Sequence, residues 1–192
     1  MLASLQNLKD HVLFTDLAGA TDWDTQLTLI GDGVAEQFAQ HLNRRLIRTV
    51  DHPYRRTGGI DSLILSALPV ESLGTLSLNG ETLSADNIRF HNPTSGLVQF
   101  ESYLGTPRDQ VELLHTGGYW VDANDDPSEL PSGAATMPTN LLHAWHLQCQ
   151  ATIEHTNLLY SGAARPEGEV APVLPGLTEA VKHLLRPYRR NS

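Results

Sequence analysis

Histidine and cysteine are the residue types in this chain that most readily bind a transition metal. The chain has nine histidines and one cysteine, and His143, His146 and Cys149 follow one another at intervals of three residues. Positions i and i+6 lie roughly 120° apart around a helix, which is too far to share one tight site. No acidic side chain completes a set of three or four ligands. The spacing therefore favours polar positions on a packed helix, and we predict neither a metal nor a cofactor.

Nucleophilic or acid–base catalysis would need side chains that the sequence does not group together. There is no G-x-S-x-G motif, and Cys149 falls inside a helical pattern instead of at a helix N-terminus, where a thiolate is stabilised. Asp125-Asp126 lies among turn residues, and Gly58-Gly59 lacks the spacing of a nucleotide-binding loop. We predict that the protein is not an enzyme. A small hydrolase that uses His and Asp is the disfavoured alternative.

The charge balance of the chain is acidic. There are 22 Asp and Glu residues against 13 Lys and Arg residues, for a formal net charge of −9. Tight nucleic-acid binders neutralise phosphates with clustered cations, so this balance disfavours a regulatory DNA-binding protein. Arg44-Arg45 is interpreted as solvated or salt-bridged surface. Either this pair or Arg55-Arg56 could still supply a local basic belt.

The apolar residues of the chain are spread along it in short stretches. None approaches the roughly 18 consecutive apolar residues of a membrane-spanning helix. The N-terminal sequence also lacks the basic start, apolar centre and cleavage site of a secretory signal. We therefore expect a protein that is made in the cytoplasm and does not cross a membrane.

Amphipathic patterns predict three helices, over residues 3–12, 23–42 and 138–156. Thr21 or Asp22 is predicted to cap the second helix through a side-chain oxygen. In the second and third helices, apolar residues recur every three or four positions and should form the core. These are Trp23, Leu27, Ile30, Val34, Phe38 and Leu42 in one helix, and Leu142, Trp145, Cys149 and Ile153, with Thr156 on the same side, in the other.

Short apolar segments separated by turn residues predict β-strands between the second and third helices. Asn79-Gly80 suits a type I′ hairpin turn, since both residues tolerate positive φ. Residues 51–59 are interpreted as a polar link into this region. The predicted fold class is α+β: a helical bundle with an inserted small antiparallel β-sheet and an extended C-terminal tail. The strands are predicted over residues 62–65, 74–78, 88–91, 97–101 and 110–114.

The C-terminal segment combines a linker rich in Pro and Gly, residues 161–176, with a basic amphipathic helix over residues 177–190. Such a helix suits insertion of its apolar face into a groove of a partner protein. A frayed terminus without a function is the alternative. The predicted docking residues are Leu177, Val181, Lys182, Leu184, Leu185, Arg186, Tyr188, Arg189 and Arg190.

The order of these features resembles that of head–tail adaptor, or connector-ring, proteins of long-tailed bacteriophages and related gene-transfer particles. The segment "TDWDTQLTLIGDGVAEQFAQHLNRRL" is similar to the family's long helix, and "LPVESLGTLSLNG" to its strand–Pro–Val–strand–Asn–Gly hairpin. "SGLVQF" and "VELLHTGGYW" resemble its glycine-led strand and the later strand that ends in Gly-Tyr. "MPTNLLHAWHLQCQATIEH" resembles the helix that returns to the bundle. The likeness covers residues 2–160, with His115 in place of a Tyr-like strand residue.

The resemblance implies a non-enzymatic virion protein at the head–tail interface. About twelve copies would form a ring, as heterologous subunit contacts do when the rotation closes. The ring would bind the portal protein of the filled head and a stopper or tail-completion protein. DNA would pass through its channel without sequence-specific binding. The protein would be made in the host bacterial cytoplasm, and Asn79 and Gly80 would contact a neighbouring subunit or the tail side.

The same resemblance suggests how the chain is divided. Residues 1–164 would form a single adaptor domain, in which a helical bundle (1–49 and 132–160) carries a β insert (50–121). Residues 165–192 would form the linker and the docking tail. A stopper or tail-terminator ring protein is the alternative, although such proteins are richer in β structure and would not need two long helices.

Overall fold

The computed structural model describes residues 1–12, 23–121, 126–156 and 175–190. They form a mixed α and β fold with antiparallel sheets, in two compact units. The first, here called the helical unit, comprises Met1–Leu42, Val121–Ser128 and Met137–Arg189. The second, the strand unit, comprises Asn43–Trp120, Glu129–Thr136 and Arg190–Ser192.

The helical unit contains the helices α1 (Leu5–Val12), α2 (Asp24–Leu42), α3 (Thr139–Thr156) and α4 (Glu179–Leu185). A single 3₁₀ turn, Arg186–Tyr188, follows α4. All three helices predicted from amphipathic patterns are confirmed, with ends that differ by two residues or fewer. The predicted caps Thr21 and Asp22 lie outside the described residues.

The apolar stripe of α2 is confirmed over most of its length. Leu27, Ile30, Val34, Phe38 and Leu42 are all buried, because their spacing puts them on one face of the helix. Trp23 is the exception: it precedes the first residue of the helix and is only partly buried. Its prediction as a core residue equal to the others was wrong.

The buried face of α3 is close to the predicted one. Trp145, Cys149 and Ile153 are at most 2% exposed, and Leu141 replaces the predicted Leu142 as the first buried residue. Leu141 is four residues before Trp145, so it lies above the tryptophan on the same face, whereas Leu142 is rotated toward the surface. The helix therefore has one continuous apolar side.

The strand unit contains two antiparallel sheets and a short parallel pair. The strands are β1 (Thr49–Thr57), β2 (Ile60–Ile64), β3 (Val70–Leu78), β4 (Glu81–Thr82), β5 (Ile88–Asn92), β6 (Leu97–Leu104), β7 (Gln110–Gly117), β8 (Tyr119–Trp120) and β9 (Ala135–Thr136). One sheet has the order β1-β7-β3-β4, another has the order β2-β6-β5, and β8 pairs with β9.

One apolar core lies within the strand unit. Val98 and Phe100 of β6 are buried in it, because residues two apart lie on the same face of a strand. Leu76 of β3 and Val111 and Leu113 of β7 belong to the same core. All five predicted strands are confirmed, and each is longer than predicted by at least one residue.

The predicted polar link over residues 51–59 is wrong, because most of it belongs to strand β1. This strand lies at the edge of its sheet and pairs on one side with β7. Its residues are mainly exposed, so the segment has no apolar alternation from which a strand could be predicted. Pro53 is tolerated there because an edge strand has one side without ladder hydrogen bonds.

The hairpin between β3 and β4 has the predicted geometry. Ser77 pairs with Thr82 and Leu78 with Glu81, which leaves Asn79-Gly80 as a two-residue turn. The φ angles of these two residues are +53° and +86°. Positive values at both central positions define the type I′ turn, whose twist matches that of paired strands.

The predicted linker over residues 161–176 lies outside the described residues except for its last two positions. The division into an adaptor domain over residues 1–164 and a separate tail stays a prediction. Within the described part of the chain, no helix has the length and apolar character that would let it cross a membrane.

Candidate functional site

The predicted docking helix packs against this chain's own helical unit. Helix α4 contacts α3, and its residues Val181 and Leu185 are 1% and 0% exposed. Gln148 of α3 fixes the start of the segment, since its amide oxygen accepts from the backbone N–H of Thr178 at 3.0 Å. The side chain of Thr178 in turn caps α4 by accepting from the backbone N–H of Val181. Part of the predicted docking face is therefore already covered.

The other predicted docking residues differ in their exposure. Lys182 forms a salt bridge with Glu179 at 2.7 Å on the surface of α4. Arg190 donates to the backbone oxygen of Ile64 at 3.0 Å within the strand unit. Arg186 and Arg189 are exposed, while Leu177, Leu184 and Tyr188 are partly buried.

The Asn79-Gly80 turn is tied to the loop between β6 and β7. The side-chain amide of Asn79 donates to Asp109 Oδ1 at 2.8 Å, and its oxygen accepts from the backbone N–H of Gln110 at 2.8 Å. Asp109 Oδ2 accepts from the backbone N–H and the hydroxyl of Thr106 at 2.6 and 2.7 Å. These bonds to Asn79 and Thr106 lower the pKa of Asp109. We call Asn79, Thr106 and Asp109 the loop clamp.

The turn between β1 and β2 joins the same loops through backbone contacts. Gly58 N–H donates to the carbonyl of Asp109 at 2.8 Å, and Gly59 N–H donates to that of Leu104 at 2.7 Å. A Cβ atom on Gly58 would lie 2.6 Å from the carbonyl oxygen of Thr106, so only glycine fits there. Three turns are thus fastened together at one end of the strand unit.

A cleft of about 330 Å³ opens beside the loop clamp. Arg55 forms a salt bridge with Glu112, its partner across the β1–β7 ladder. Arg56 and Arg108 are exposed, and neither forms an ion pair with the described residues. We call this the arginine cleft; it is lined by Arg55, Arg56, Thr57, Arg108, Asp109 and Gln110.

Two of the three arginines in this cleft can be recognised from the sequence. Arg55-Arg56 stands out as a pair, whereas Arg108 is isolated in the sequence. The pairing of Thr57 with Gln110 brings it near them, since Gln110 is only two positions after Arg108. Arg108 can be assigned to the cleft only when the register between β1 and β7 is known.

Two other arginines stabilise the strand unit. The interpretation of Arg44 as solvated or salt-bridged surface is wrong. This side chain is partly buried, donates to the carbonyl of Leu68 at 2.5 Å and lies over the Tyr119 ring. Arg48 binds Glu71 through two hydrogen bonds of 2.7 and 3.0 Å. This bidentate pairing lowers the pKa of Glu71 and raises that of Arg48.

The residues considered for metal chemistry do not converge. His146 stacks on His11 with ring centroids 3.9 Å apart, and its Nε2 lies 2.8 Å from Asn7 Oδ1. His143 is exposed, whereas Cys149 is buried, which raises the pKa of its thiol. Among the described residues, no three His, Cys, Asp or Glu side chains are placed to share a metal ion.

A second histidine pair lies in the strand unit. His115 of β7 is 0% exposed, and its ring meets that of His52 edge-on with centroids 5.4 Å apart. Burial is the main cause that lowers the pKa of His115, and the nearby His52 lowers it further. Burial, followed by the charge of Arg45, lowers the pKa of His52.

The acidic pair that was considered for acid–base chemistry is only half described. Asp125 lies outside the described residues. Asp126 accepts a hydrogen bond from the backbone N–H of Ser128 at 2.8 Å, which is the usual local role of an aspartate in a turn.

The fold of this chain is similar to that of solved structures from gene transfer agent particles. No protein-family profile matches the chain, and no curated protein matches it. Among solved structures, a chain from the neck of an empty GTA particle computed with C6 symmetry is similar, with a TM-score of 0.59 and 17% identity. A chain from the virion of a native gene transfer agent (GTA) particle has a TM-score of 0.61 and 19% identity. Each comparison covers 98% of this chain and 89% of the other. The likeness is one of fold.

Proposed function

We propose that this chain is a structural, non-enzymatic component of the neck of a phage-like particle. The observation that carries the proposal is the fold likeness over 98% of the chain to a chain from the neck of a GTA particle. A similarity over nearly the whole length includes both the helical unit and the strand unit. It therefore concerns the elements of both units instead of one common motif.

Within the neck, the finer role that we propose is that of the head–tail adaptor. About twelve copies form a ring, which suits the sixfold symmetry applied to the similar neck, since twelve is a multiple of six. The helices form a bundle in the wall of the ring. The Asn79-Gly80 turn contacts a neighbouring subunit or the tail side. One face of the ring binds the portal protein and the other binds the stopper or tail-completion protein.

The charge of the chain supports a channel through which DNA slides. A ring of about twelve copies carries a formal charge on the order of −100, because each copy contributes −9. Duplex DNA therefore meets general repulsion inside such a ring instead of a continuous series of phosphate contacts. The protein would be made in the host bacterial cytoplasm and would become part of the virion at the head–tail interface.

The segment over residues 175–190 is the proposed portal-docking element. Arg186 and Arg189 are exposed and available to an acidic groove while α4 stays packed on α3. Val181 and Leu185 would reach a partner only if α4 left α3, because both are buried in the helical unit. We propose that docking begins with the two exposed arginines and Leu184.

The docking proposal is tested by reversing charge without disturbing the packing of α4. The double variant Arg186→Glu/Arg189→Glu should keep the parent's thermal stability and lose binding to purified portal rings. A control with the same change in charge, Arg45→Glu/Arg89→Glu, replaces two exposed arginines of the strand unit and should bind as the parent does. Undiminished portal binding by the first variant would disprove the role of these arginines.

The ring proposal is tested by native mass spectrometry of the purified chain, alone and mixed with portal rings. We expect a complex in which about twelve copies of the chain join one portal ring. If the chain does not bind portal rings but binds the end of purified tails, it would be a tail-terminator protein. A chain that joins neither heads nor tails, measured by cryo-electron microscopy of the mixtures, would contradict a role in the neck.

A further inference from the structure

We infer that the arginine cleft of the strand unit binds phosphate groups of the DNA backbone. The identity of the DNA as a passing genome rests on the proposed function, whereas the chemistry of the cleft rests on its own residues. Arg55 and Arg56 come from β1, and Arg108 comes from the loop between β6 and β7. Guanidinium groups with free donors on two sides of one cleft suit a tetrahedral oxyanion.

Two of the three arginines that line the cleft are available to a ligand. Arg55 is engaged with Glu112, but Arg56 and Arg108 have no acidic partner among the described residues. Asp109 also lines the cleft, yet both of its carboxylate oxygens already accept hydrogen bonds within the loop clamp. The acid therefore holds the loop in place and leaves the two arginines to other anions.

The backbone on both sides of the arginine cleft is held in place by hydrogen bonds. Arg108 lies between Thr106 and Asp109, which are hydrogen-bonded to each other and, through Asp109, to Asn79. On the other side, Gly58 fixes the end of β1 to the carbonyl of Asp109. Both backbone segments that carry the arginines are thus tied to a common point. A ligand that bridges them would need to order little more than the arginine side chains.

The residue types that line the cleft indicate which kind of anion it binds. The side chains that line the cleft are charged or polar, and none of them is an apolar residue. A docking protein segment usually needs an apolar centre for its own side chains. Contacts to the DNA backbone are made instead by Arg together with neutral donors such as Thr and Gln, and Thr57 and Gln110 are present here. The composition therefore favours a phosphodiester over an acidic peptide.

The affinity of one cleft should be low. Two available arginines correspond to about two neutralised phosphates, so the slope of log K against log[salt] should be about −2. Binding should then weaken about tenfold between 50 and 200 mM salt. The net charge of −9 adds a repulsion that keeps each contact short-lived. Contacts of this kind would guide a sliding duplex without stopping it.

The inference is tested with the free full-length chain and a short DNA duplex. Backbone amide NMR signals are followed during a titration at 50 mM salt, and the titration is repeated at 200 mM. We expect shifts at residues 55–57 and 108–110, with the salt dependence given above. The variant Arg56→Gln/Arg108→Gln should lose at least nine-tenths of the affinity. The matched control Arg89→Gln/Arg186→Gln changes the net charge equally at exposed positions outside the cleft and should keep most of it.

Two results would overturn the inference. One is that the NMR signals that shift belong to residues outside the cleft, or that both double variants lose DNA affinity equally. Either outcome would show only general electrostatic attraction. The other is tighter binding in the cleft by a polyglutamate peptide than by duplex DNA of equal charge, which would assign the cleft to an acidic protein segment. Ring formation on portals is measured separately by native mass spectrometry, so loss of DNA binding would leave the proposed neck role untouched. DNA binding in the cleft without ring formation on portals would support the inference about the cleft and contradict the proposed adaptor role.

Discussion

Replacing Trp145 by Ala should strongly destabilise the helical unit. The side chain is 0% exposed, and its indole N–H donates to the carbonyl of Gly31 at 3.0 Å. The indole also packs closely against Gly31: a Cβ atom built on this glycine would lie only 3.0 Å from the indole Cζ2 atom. Deleting a buried tryptophan costs about 3–5 kcal/mol. For a chain of 192 residues, this loss lowers the melting temperature by about 6–20 °C.

Urea unfolding followed by the helical circular dichroism signal measures this loss. Trp145→Phe keeps a buried ring but removes the hydrogen bond, and it should cost about 1–2 kcal/mol. Trp23→Ala is the control: the sequence predicts a similar cost for both tryptophans, but Trp23 is only partly buried and should cost at most about 2 kcal/mol. If Trp145→Ala unfolds within about 1 kcal/mol of the parent, the proposed packing of α2 and α3 is refuted.

Two further predictions concern the strand unit. The pKa of buried His115 is lowered in the folded state, so its contribution to stability is present above the unfolded-state value of 6.5 and is lost as the pH falls below it. The urea midpoint should therefore fall from pH 7.5 to pH 5, and His115→Phe should flatten this dependence; equal slopes for parent and variant would contradict the prediction. At the hairpin, Asn79→Ala should be less stable than Asn79→Gly by about 1 kcal/mol, because glycine adopts the positive φ of this position without strain and alanine does not. Equal melting temperatures for these two variants would argue against the turn geometry.

Much of the fold could be predicted from the sequence, because most helices and strands have a recognisable local pattern of apolar residues. The buried residues of α2 recur every three or four positions, and those of β6 alternate, so periodicity sufficed. Asn79-Gly80 has one common structural use between two apolar strands. Strand β1 could not be found in this way, because an edge strand with mainly exposed residues has no period that distinguishes it from a loop.

The candidate sites were less predictable, since they depend on residues far apart in the sequence. Nothing in the local sequence links Asn79 with Asp109, or Arg56 with Arg108. These neighbours follow from the pairing of β7 with both β1 and β3, and register is a property of the assembled sheet. The arginine pair was visible in the sequence, whereas the cleft was not.

The C-terminal helix illustrates a limit of amphipathic patterns. An apolar face on a basic helix predicts that the face is covered. The pattern does not distinguish cover by the same chain from cover by a partner protein. Here Val181 and Leu185 are covered by the chain's own helical unit, and Gln148 anchors the turn that precedes them. Arg186 and Arg189, which lie in and just after the 3₁₀ turn that follows α4, are exposed and remain available to a partner. On a chain with a net charge of −9, exposed arginines that lack an acidic partner are the residues most open to intermolecular use. Exposed arginines of this kind follow α4 in the helical unit, where we propose a portal contact. Others line the arginine cleft of the strand unit, where we infer a contact with DNA.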